Sequence, residues 1–398
     1  MTSDNSSGAL QGVRVIDLTT ILMGPLACRM LADHGADVIQ VVPPSTQEAV
    51  VGDDEGIGGI ALDIHRNKRS IKLDLKAEPD RRAMWDLIAS ADVLVTNMRA
   101  AALDRLGLSA EDVRTRYPKL IYCLANGYGQ EGPYASRAAY DDAIQALSGF
   151  AALSEMIDGE PRYAPSVIAD KVCSLFIVQA VMAALLNKQA LDQGQTIVVP
   201  MFETMVAFNM VEHLRGAALI PPKGTPGYTR LLNRERRPYK SADGWIALLP
   251  YSAANWRDFF NIIGSPELSD DPRFSTHSTR MQNAEALYGV VATAAPTRTT
   301  QEWISICDEF SIPCNPVLGF GELLSDPHLE AVQLLQEQTH PTEGAYHSVR
   351  DPVEYDSLAT GLRLHAPVPG EHTREVLQEL NWQDDAIQSL NVFNNNHH

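Results

Sequence analysis

Short apolar runs of strand length alternate with helical patterns through the first third of this 398-residue chain. Val13–Leu18 and Ala36–Val42 are such runs, and Pro25 between them suits the first turn of a helix, where its missing N–H would be unpaired anyway. The alternation continues with strand patterns at Val93–Thr96 and Leu120–Ala125. Strands that alternate with helices form a parallel sheet covered on both faces. The opening therefore predicts an α/β, Rossmann-like domain.

The character of the sequence changes after about residue 216. Ile220–Arg237 is rich in Pro, Gly and Arg, which indicates a segment that crosses between domains. A strand pair with its turn at Ala242–Gly244 follows, together with short helical patterns, which indicates a smaller α+β domain. We expect a large Rossmann-like domain over residues 1–216, a small α+β domain with linkers over 217–340, and a C-terminal segment over 341–398 that returns to the large domain.

Composition and charge disfavour several classes of protein. The formal net charge of −18 disfavours a nucleic-acid partner, because most of the surface would repel phosphates. The first eight residues lack the basic and apolar regions of a signal peptide, and no run reaches about 18 apolar residues, so we expect a cytoplasmic protein that binds no membrane. The five cysteines include no CxxC pair and have mostly apolar neighbours, which favours reduced, buried thiols over a disulfide or a metal site.

One glycine-rich motif invites a wrong assignment. Gly127–Gly132 fits the GxGxxG spacing of dinucleotide-binding proteins and follows a strand pattern. Pro133 and Tyr134 come directly after it, so no helix opens there, and no isolated acidic residue follows a strand about 20 residues further on. We expect the glycines to form a tight loop at the carboxyl end of a strand, where ligands bind in such sheets.

A basic run at Arg66–Arg69 continues to Lys76 in alternation with Ile71, Leu73 and Leu75. The alternation predicts a strand with one charged face. Two interpretations stay open at this point: lysines that block pairing at a solvated sheet edge, and an anchor for a phosphorylated ligand, whose oxygens arginine binds in a bidentate manner.

Asp170 directly precedes a long apolar helix predicted over Lys171–Gln189, which we expect to be buried because it is apolar on nearly every side. Asp is a favoured N-cap residue, so a purely structural role is one interpretation. At a helix N-terminus the carboxylate would also keep a low pKa and stay ionised at pH 7. An ionised carboxylate in a dry site is a nucleophile, which makes Asp170 the candidate catalytic residue.

In their order and spacing these segments resemble the class III CoA-transferases, the formyl-CoA and carnitine CoA-transferase type that also includes the α-methylacyl-CoA racemases. The resemblance covers about Leu10–Leu390. It rests on the opening βαβ pattern, the basic strand, the aspartate before the apolar helix, and the segments ADVLVTNMRAAALDRLGL (Ala91–Leu108), GYGQEGPYASRAAYDDAIQALSGF (Gly127–Phe150), SIPCNPV (Ser311–Val317) and APVPGEHTREVL (Ala366–Leu377).

The resemblance implies an enzyme that moves coenzyme A from an acyl-CoA donor to a carboxylic acid acceptor through an aspartyl mixed anhydride and thioester, with Asp170 as nucleophile. It further implies a homodimer of two interlocked chains, no permanently bound cofactor and no metal. The residues implied to bind CoA are Leu22, Met23, Leu73, Lys76, Asn97, Met98, Arg105 and Arg137. The candidate substrate contacts are Gly127, Gly129 and Tyr140.

Three departures from the family pattern bear on the function. Val42–Ser45 stands where the family commonly has an acidic residue and an arginine near the CoA adenosine. The glycine-rich loop of the oxalate-using members has no counterpart near Leu249–Asn255, which disfavours oxalate as a substrate. Tyr140 stands where the racemases have a histidine, and a phenol with a pKa of about 10 is a poor base at pH 7.

Two other functions remain as alternatives, an acyl-CoA racemase or isomerase of the same fold and a non-catalytic acyl-CoA-binding paralogue. The identity of the acids is open. The candidate partners for their carboxylates are Arg137, Tyr140, Arg234, Arg236, Arg237 and Tyr251.

Overall fold

The computed structural model describes residues 8–46, 58–358 and 360–394. Its strands are β1 (Arg14–Leu18), β2 (Asp37–Val42), β3 (Lys68–Lys72), β4 (Val93–Thr96), β5 (Ile121–Asn126), β6 (Thr196–Pro200), β7 (Tyr239–Lys240), β8 (Trp245–Leu248), β9 (Cys314–Pro316), β10 (Leu335–His340) and β11 (Gly344–Val349). Its α-helices are α1 (Met23–Asp33), α2 (Gly59–Ile64), α3 (Glu78–Ala89), α4 (Ala100–Leu106), α5 (Ala110–Arg116), α6 (Asp141–Leu147), α7 (Ala152–Asp158), α8 (Ile168–Leu191), α9 (Met201–His213), α10 (Ala253–Ile262), α11 (His277–Gln282), α12 (Ala284–Ala294), α13 (Thr300–Glu309), α14 (Phe320–Leu323), α15 (Pro327–Ala331), α16 (Thr373–Glu379), α17 (Asp384–Gln388) and α18 (Asn391–Asn394).

The described chain divides into two compact units. Unit 1 comprises the described residues up to Ser148, Tyr163–Phe208 and those from Glu330 onwards. Unit 2 comprises Gly149–Arg162 and Asn209–Leu329.

A six-stranded sheet forms the centre of unit 1, with the strand order β3-β2-β1-β4-β5-β6 and parallel pairing throughout. This is the order of a Rossmann fold, in which the chain reverses its direction of travel between β1 and β4. The predicted α/β, Rossmann-like domain is confirmed. In such sheets the crevice at the carboxyl ends of the two central strands is where ligands bind.

The two faces of this sheet are covered as the apolar periodicity predicted. On one face, Ile16, Leu94 and Tyr122 pack in a core with residues of α3 and with Val376 and Leu377 of the C-terminal α16. On the other, α8 packs against α1, β5 and β6. Strand β6 lies at the edge of the sheet and ends at Pro200. Proline has no N–H to donate to a neighbouring strand, so it is found mostly in edge strands.

The basic strand β3 lies at the opposite edge of the sheet. One interpretation of the sequence placed its charged side chains in solvent, but the structure buries Lys68. Lys68 has no exposed side-chain surface and forms an ion pair with Asp17, 2.8 Å from Nζ to Oδ2. Arg66 is buried against Asp33 at 2.8 Å. Both cations are neutralised by aspartates inside the protein, because a buried charge is stable only when it is paired.

Helix α8 is longer than predicted and only partly buried within the chain. Ala169, Cys173, Ile177 and Val181 face the interior, whereas Leu186 is 68% exposed. The expectation of a fully buried helix is therefore wrong for one face. By length and composition α8 is also apolar enough to cross a membrane, but half of its most apolar window is already buried inside the protein.

Unit 2 contains a small antiparallel sheet of order β7-β8-β9. The turn at Ala242–Gly244 joins β7 to β8, as the sequence indicated. Its core contains Phe259, Phe260 and Trp303, the last two packed near Phe259. All five cysteines of the chain are free and buried, which confirms the prediction of reduced thiols.

Candidate active site

The loops that follow β1 and β4 meet at the point where the strand order reverses. The side chain of Asn97, just after β4, accepts a hydrogen bond from the Thr20 N–H at 3.0 Å and donates one to the Thr20 carbonyl oxygen at 2.8 Å. The side chain of Asn97, which the resemblance implies to bind CoA, holds the loop that precedes α1. The structure thus brings together the loop after β1 and the residues after β4, which are far apart in the sequence.

A buried ion pair below this loop fixes both of its ends. Lys68 Nζ donates to Asp17 Oδ2 and to the Pro25 carbonyl oxygen, each at 2.8 Å. Asp17 Oδ1 accepts from the Thr19 N–H at 3.1 Å. Sequence reasoning missed this role of Asp17 and Lys68, although the basic run contained the signal.

The loop itself has little room to change. Gly24 approaches Thr19 so closely that a Cβ atom on Gly24 would lie 2.4 Å from the Thr19 Cβ. Leu22 and Met23 bury their side chains, while Ile21 is about half exposed and has a φ of 72°, which a β-branched residue rarely adopts. Of the loop side chains after Thr20, Ile21 is therefore the most open to solvent.

Asp170 is the third residue of α8 rather than its N-cap, which is Val167 without a side-chain hydrogen bond. The predicted capping role is wrong, and a residue distant in sequence provides it. Asp141 Oδ2 accepts a hydrogen bond from the Asp170 main-chain N–H at 2.9 Å. The other Asp141 oxygen accepts from Gln145 Nε2 at 2.6 Å, and Gln145 Oε1 accepts from the Ala164 N–H at 2.9 Å. Asp141 therefore satisfies one of the free N–H groups at the start of α8.

The carboxyl group of Asp170 is in a different electrostatic state from the one predicted. The residue is 9% exposed, and its carboxylate accepts no hydrogen bond from any described residue. Burial, and then the negative charge of Asp141, raise the pKa of Asp170 to about 7. Desolvation and a like charge both disfavour ionisation, and they outweigh the helix dipole, which was expected to lower the pKa. At neutral pH the group exists in both forms, and its ionised form is poorly solvated.

Ser174, one turn further along α8, connects Asp170 to the loop after β1. Its hydroxyl lies 2.7 Å from the Met23 carbonyl oxygen and 2.7 Å from the Asp170 carbonyl oxygen. The side chain is fully buried. The start of α1 and the first turns of α8 are therefore held in a fixed relation.

The glycine motif forms a tight loop after β5, as expected. A Cβ on Gly127 would lie 2.2 Å from the Ala139 Cβ, and one on Gly129 would lie 2.6 Å from Glu203 Oε1. The Gly129 N–H already donates to Glu203 Oε1 at 2.8 Å. The main-chain N–H groups of Gly129 and Asp170 are thus both occupied, which argues against their direct use as donors to a reacting oxygen.

Comparison with known proteins identifies the family. The sequence model of CoA-transferase family III matches residues 10–373. The chain belongs to this family. It is 32% identical over 400 residues to the succinate–glutarate CoA-transferase of Agrobacterium fabrum, covering 94% of this chain and 96% of that protein. It is 30% identical over 411 residues to the mouse succinyl-CoA:glutarate CoA-transferase, covering 97% of this chain and 90% of the mouse protein.

Solved structures agree with this assignment. A CAIB/BAIF family protein from Brucella suis superimposes with a TM-score of 0.79 at 27% identity, covering 94% of this chain and all of that one. Rv3272 from Mycobacterium tuberculosis gives a TM-score of 0.80 at 26% identity, covering 93% and 99%. The family III CoA-transferase fold thus extends over nearly the whole chain.

In this family III CoA-transferase the cationic residues predicted to bind CoA lie at the surface. Lys76 and Arg105 are exposed, and their side chains form no ion pair with the described residues. The Arg137 guanidinium lies 3.9 Å above the Tyr134 ring, and Tyr140 is largely exposed. Leu73 is buried and Met98 packs against the sheet core, so their side chains serve packing. Among residues 8–46, 58–358 and 360–394 there is no group of three or more His, Cys, Asp or Glu side chains able to hold a metal ion.

Proposed function

We propose that the enzyme transfers coenzyme A from an acyl-CoA donor to a carboxylic acid acceptor by covalent catalysis at Asp170. The observation that supports this most is the state of that carboxyl group: it is buried, free of hydrogen bonds from described residues, and its pKa is raised to about 7. An ordinary surface or capping aspartate has no reason to carry this cost. Strongly perturbed pKa values are typical of catalytic groups.

The reaction begins when the ionised Asp170 carboxylate attacks the thioester carbonyl carbon. The C–S bond breaks, an acyl-aspartyl mixed anhydride forms, and CoA leaves as the thiolate. The thiolate then attacks the aspartyl carbonyl carbon, which releases the donor acid as a carboxylate and leaves CoA as an aspartyl thioester. The acceptor carboxylate attacks the carbonyl carbon of this thioester, which breaks the C–S bond and gives a second mixed anhydride and the CoA thiolate. The thiolate then attacks the acceptor's carbonyl carbon, which forms the new acyl-CoA and frees the Asp170 carboxylate.

Each intermediate has to be kept from water, because hydrolysis would end the transfer. The burial of Asp170 and Asp141 supports this protection. The fixed loop around Thr20 supports a constant position for the thioester, since it is held by Asn97 and by the Lys68–Asp17 pair. We assign the CoA phosphates to three exposed cations, Lys76, Arg105 and Arg137.

For the acceptor we propose a short dicarboxylic acid. Two relatives of 30% identity or more are named for succinate and glutarate. The missing counterpart of the glycine-rich loop near Leu249–Asn255 continues to disfavour oxalate. Tyr140 in place of the racemases' histidine supports transfer over racemisation.

We further propose that the protein acts in the cytoplasm as an interlocked homodimer. Exposed apolar side chains support a partner chain: Leu175, Leu186 and Leu191 on α8, and separately Val211 and Ile220 in unit 2, are more than half exposed. Apolar surface on this scale is typical of a protein interface.

Exchange of label between a free acid and an acyl-CoA tests the proposed chemistry. Wild type should transfer label from radioactive glutarate into glutaryl-CoA in the presence of succinyl-CoA, and hydroxylamine should trap an adduct on Asp170. Asp170→Asn should lower the exchange rate by several orders of magnitude while CoA still binds, because an amide is a far weaker nucleophile. Asp142→Asn, an exposed neighbour of Asp141, is the matched control and should keep full activity. Full exchange activity in Asp170→Asn would end the covalent mechanism.

A further inference from the structure

Arg230, in unit 2, is partly buried without an acidic partner among the described residues. Its guanidinium lies 4.5 Å above the Tyr251 ring, and Nε is 3.4 Å from the Tyr288 hydroxyl. The side chains of Tyr251 and Tyr228 are further polar neighbours of the guanidinium. The contrast with Arg66, which pairs with Asp33 and Asp63, shows that the chain neutralises a buried arginine elsewhere.

Three phenol hydroxyls around a guanidinium form a set that recognises an anion. The guanidinium supplies a permanent positive charge and a planar fork of donors, which matches the two oxygens of a carboxylate. Each tyrosine hydroxyl can turn its proton towards the same anion. Tyr288 is buried and fixes one side, whereas Tyr251 is largely exposed and leaves an entry from solvent.

Thr229, which precedes Arg230 in the chain, lines a cavity that is open to solvent. Its volume is about 510 Å³, and its lining consists of Arg215, Lys223, two threonines and three glycines, with no acidic side chain. The Arg215 guanidinium lies 4.6 Å from the Tyr228 ring, so a cation of the cavity lining packs on a residue of the tyrosine cluster. The volume suits a small molecule.

The charges near this cavity are opposite to those of the whole chain. The chain carries a net charge of −18, whereas the lining of this cavity contains Arg215 and Lys223 and no carboxylate. Screening in physiological salt acts over about 8 Å, so a small anion responds to these cations and not to the distant acidic surface.

We propose that Arg230, with Tyr228, Tyr251 and Tyr288, binds the carboxylate of a small organic acid, whose remainder occupies the adjoining cavity. The assignment of that acid as a substrate rests on the proposed function. Arg230 is absent from the carboxylate partners predicted from sequence, and one of those, Arg237, has Glu235 as its ion-pair partner at 3.4 Å.

Isothermal titration of the full chain with glutarate at low salt tests the site. Arg230→Met should weaken glutarate binding by about tenfold or more, because a charge-assisted bidentate contact is lost. Arg230→Lys should lie in between, since the charge remains without the planar fork. The matched control is Arg298→Met, which removes a partly buried arginine stacked 4.8 Å above Trp303 in the same unit and should leave glutarate affinity unchanged.

Tyr251→Phe provides a second test if Arg230→Met does not fold. It keeps the ring beneath the guanidinium and removes only an exposed hydroxyl, so the fold should survive and glutarate affinity should fall by about three- to tenfold. Equal glutarate affinity in wild type, Arg230→Lys and Tyr251→Phe, or no binding of glutarate or succinate to wild type at millimolar concentration, would overturn the proposal.

The exchange assay separates this proposal from the proposed function. If the acid is the acceptor, Arg230→Lys raises the KM for glutarate and leaves the KM for succinyl-CoA unchanged. If the acid is a regulator, the KM for glutarate is unchanged while added acid alters the rate in wild type and not in the variant. Arg230-dependent glutarate binding in a protein without any exchange activity would refute the transferase and keep the site.

Discussion

The carboxylate of Asp141 accepts a hydrogen bond from the main-chain N–H of Asp170 at 2.9 Å, across 29 positions of sequence. The same carboxylate lies close enough to Asp170 for its charge to raise the pKa of the Asp170 carboxyl group. One side chain thus bonds to the backbone of the proposed nucleophile and raises the pKa of its carboxyl group. The two effects have separate consequences, which mutation can distinguish.

The first prediction concerns pH. Only the ionised form of Asp170 attacks a thioester, so kcat/KM for exchange should rise about tenfold per pH unit below its midpoint near 7 and level off above it. Asp141→Asn removes the like charge, which should move this midpoint to lower pH. A pH–rate profile of both proteins measures it, and an unchanged midpoint in Asp141→Asn would show that Asp141 does not act on Asp170.

The second prediction concerns stability. Because the pKa of Asp170 is raised from 3.8 to about 7 on folding, the folded state binds more protons than the unfolded state between these values. The contribution of the protonated Asp170 carboxyl group to the free energy of unfolding is fully present below pH 3.8 and is lost as the pH rises through 7. Asp170→Asn removes the buried charge, so it should be more stable than wild type by roughly 2–4 kcal/mol at pH 8 and similar at pH 4.

Urea denaturation at the two pH values checks this, with Asp142→Asn as the control that should match wild type at both. A loss of stability in Asp170→Asn at pH 8 would contradict the prediction. It would mean that the ionised carboxylate makes a favourable contact in the fold.

The third prediction concerns the glycine loop. Gly127→Ala would place a Cβ 2.2 Å from the Ala139 Cβ, so the loop must shift, at a cost of about 1–3 kcal/mol and with loss of activity. Gly132→Ala is the control, since its nearest neighbour would be the Gly129 carbonyl oxygen at 3.5 Å, an ordinary contact. Thermal melting and the exchange assay should separate the two variants. Equal behaviour would show that the close approach has no functional weight.

The fourth prediction concerns CoA affinity. Lys76→Glu and Arg105→Glu should each weaken CoA binding, and the loss should shrink as salt rises, because exposed charges are screened. Lys240→Glu makes the same charge change at an exposed lysine of unit 2 and should have no effect. Titration with CoA at low and high salt gives the comparison. Unaltered affinity in the first two variants at low salt would remove both residues from the site.

The fifth prediction is the oligomeric state. The exposed leucines of α8 should be covered in an obligate dimer, so light scattering at micromolar concentration should give twice the chain mass of 43.6 kDa. Leu186→Glu places a charge on that apolar face and should dissociate or destabilise the dimer. Val353→Glu, at a half-exposed apolar position away from α8, serves as its control. A monomeric wild type would refute the dimer.

Much of the fold could be predicted from local patterns. The period of the apolar residues identified strands of the parallel sheet. The glycine loop was placed at the carboxyl end of a strand, where it lies after β5. These features depend on residues that are near one another in sequence, so local sequence suffices.

The chemistry of the candidate site depended on contacts that are distant in sequence. Asp170 was identified by its position before an apolar helix, but its pKa was predicted in the wrong direction, because burial and Asp141 act through space. Lys68 was identified only as part of a basic run, whereas it is buried against Asp17. The exposed face of α8 was likewise missed, since periodicity reports how apolar a helix is and not what covers it.

The sequence by itself determined the α/β architecture and the position of the glycine loop after a strand, and it indicated Asp170 as a candidate nucleophile, because backbone preferences and apolar periodicity are encoded along the chain. Only the tertiary structure decided which charges are neutralised and which are left unpaired. Arg66 and Arg230 are both arginines in polar segments, yet one meets two aspartates and the other three tyrosines. Electrostatic free energy depends on distance and solvent exposure in three dimensions, and neither quantity can be read from the order of residues.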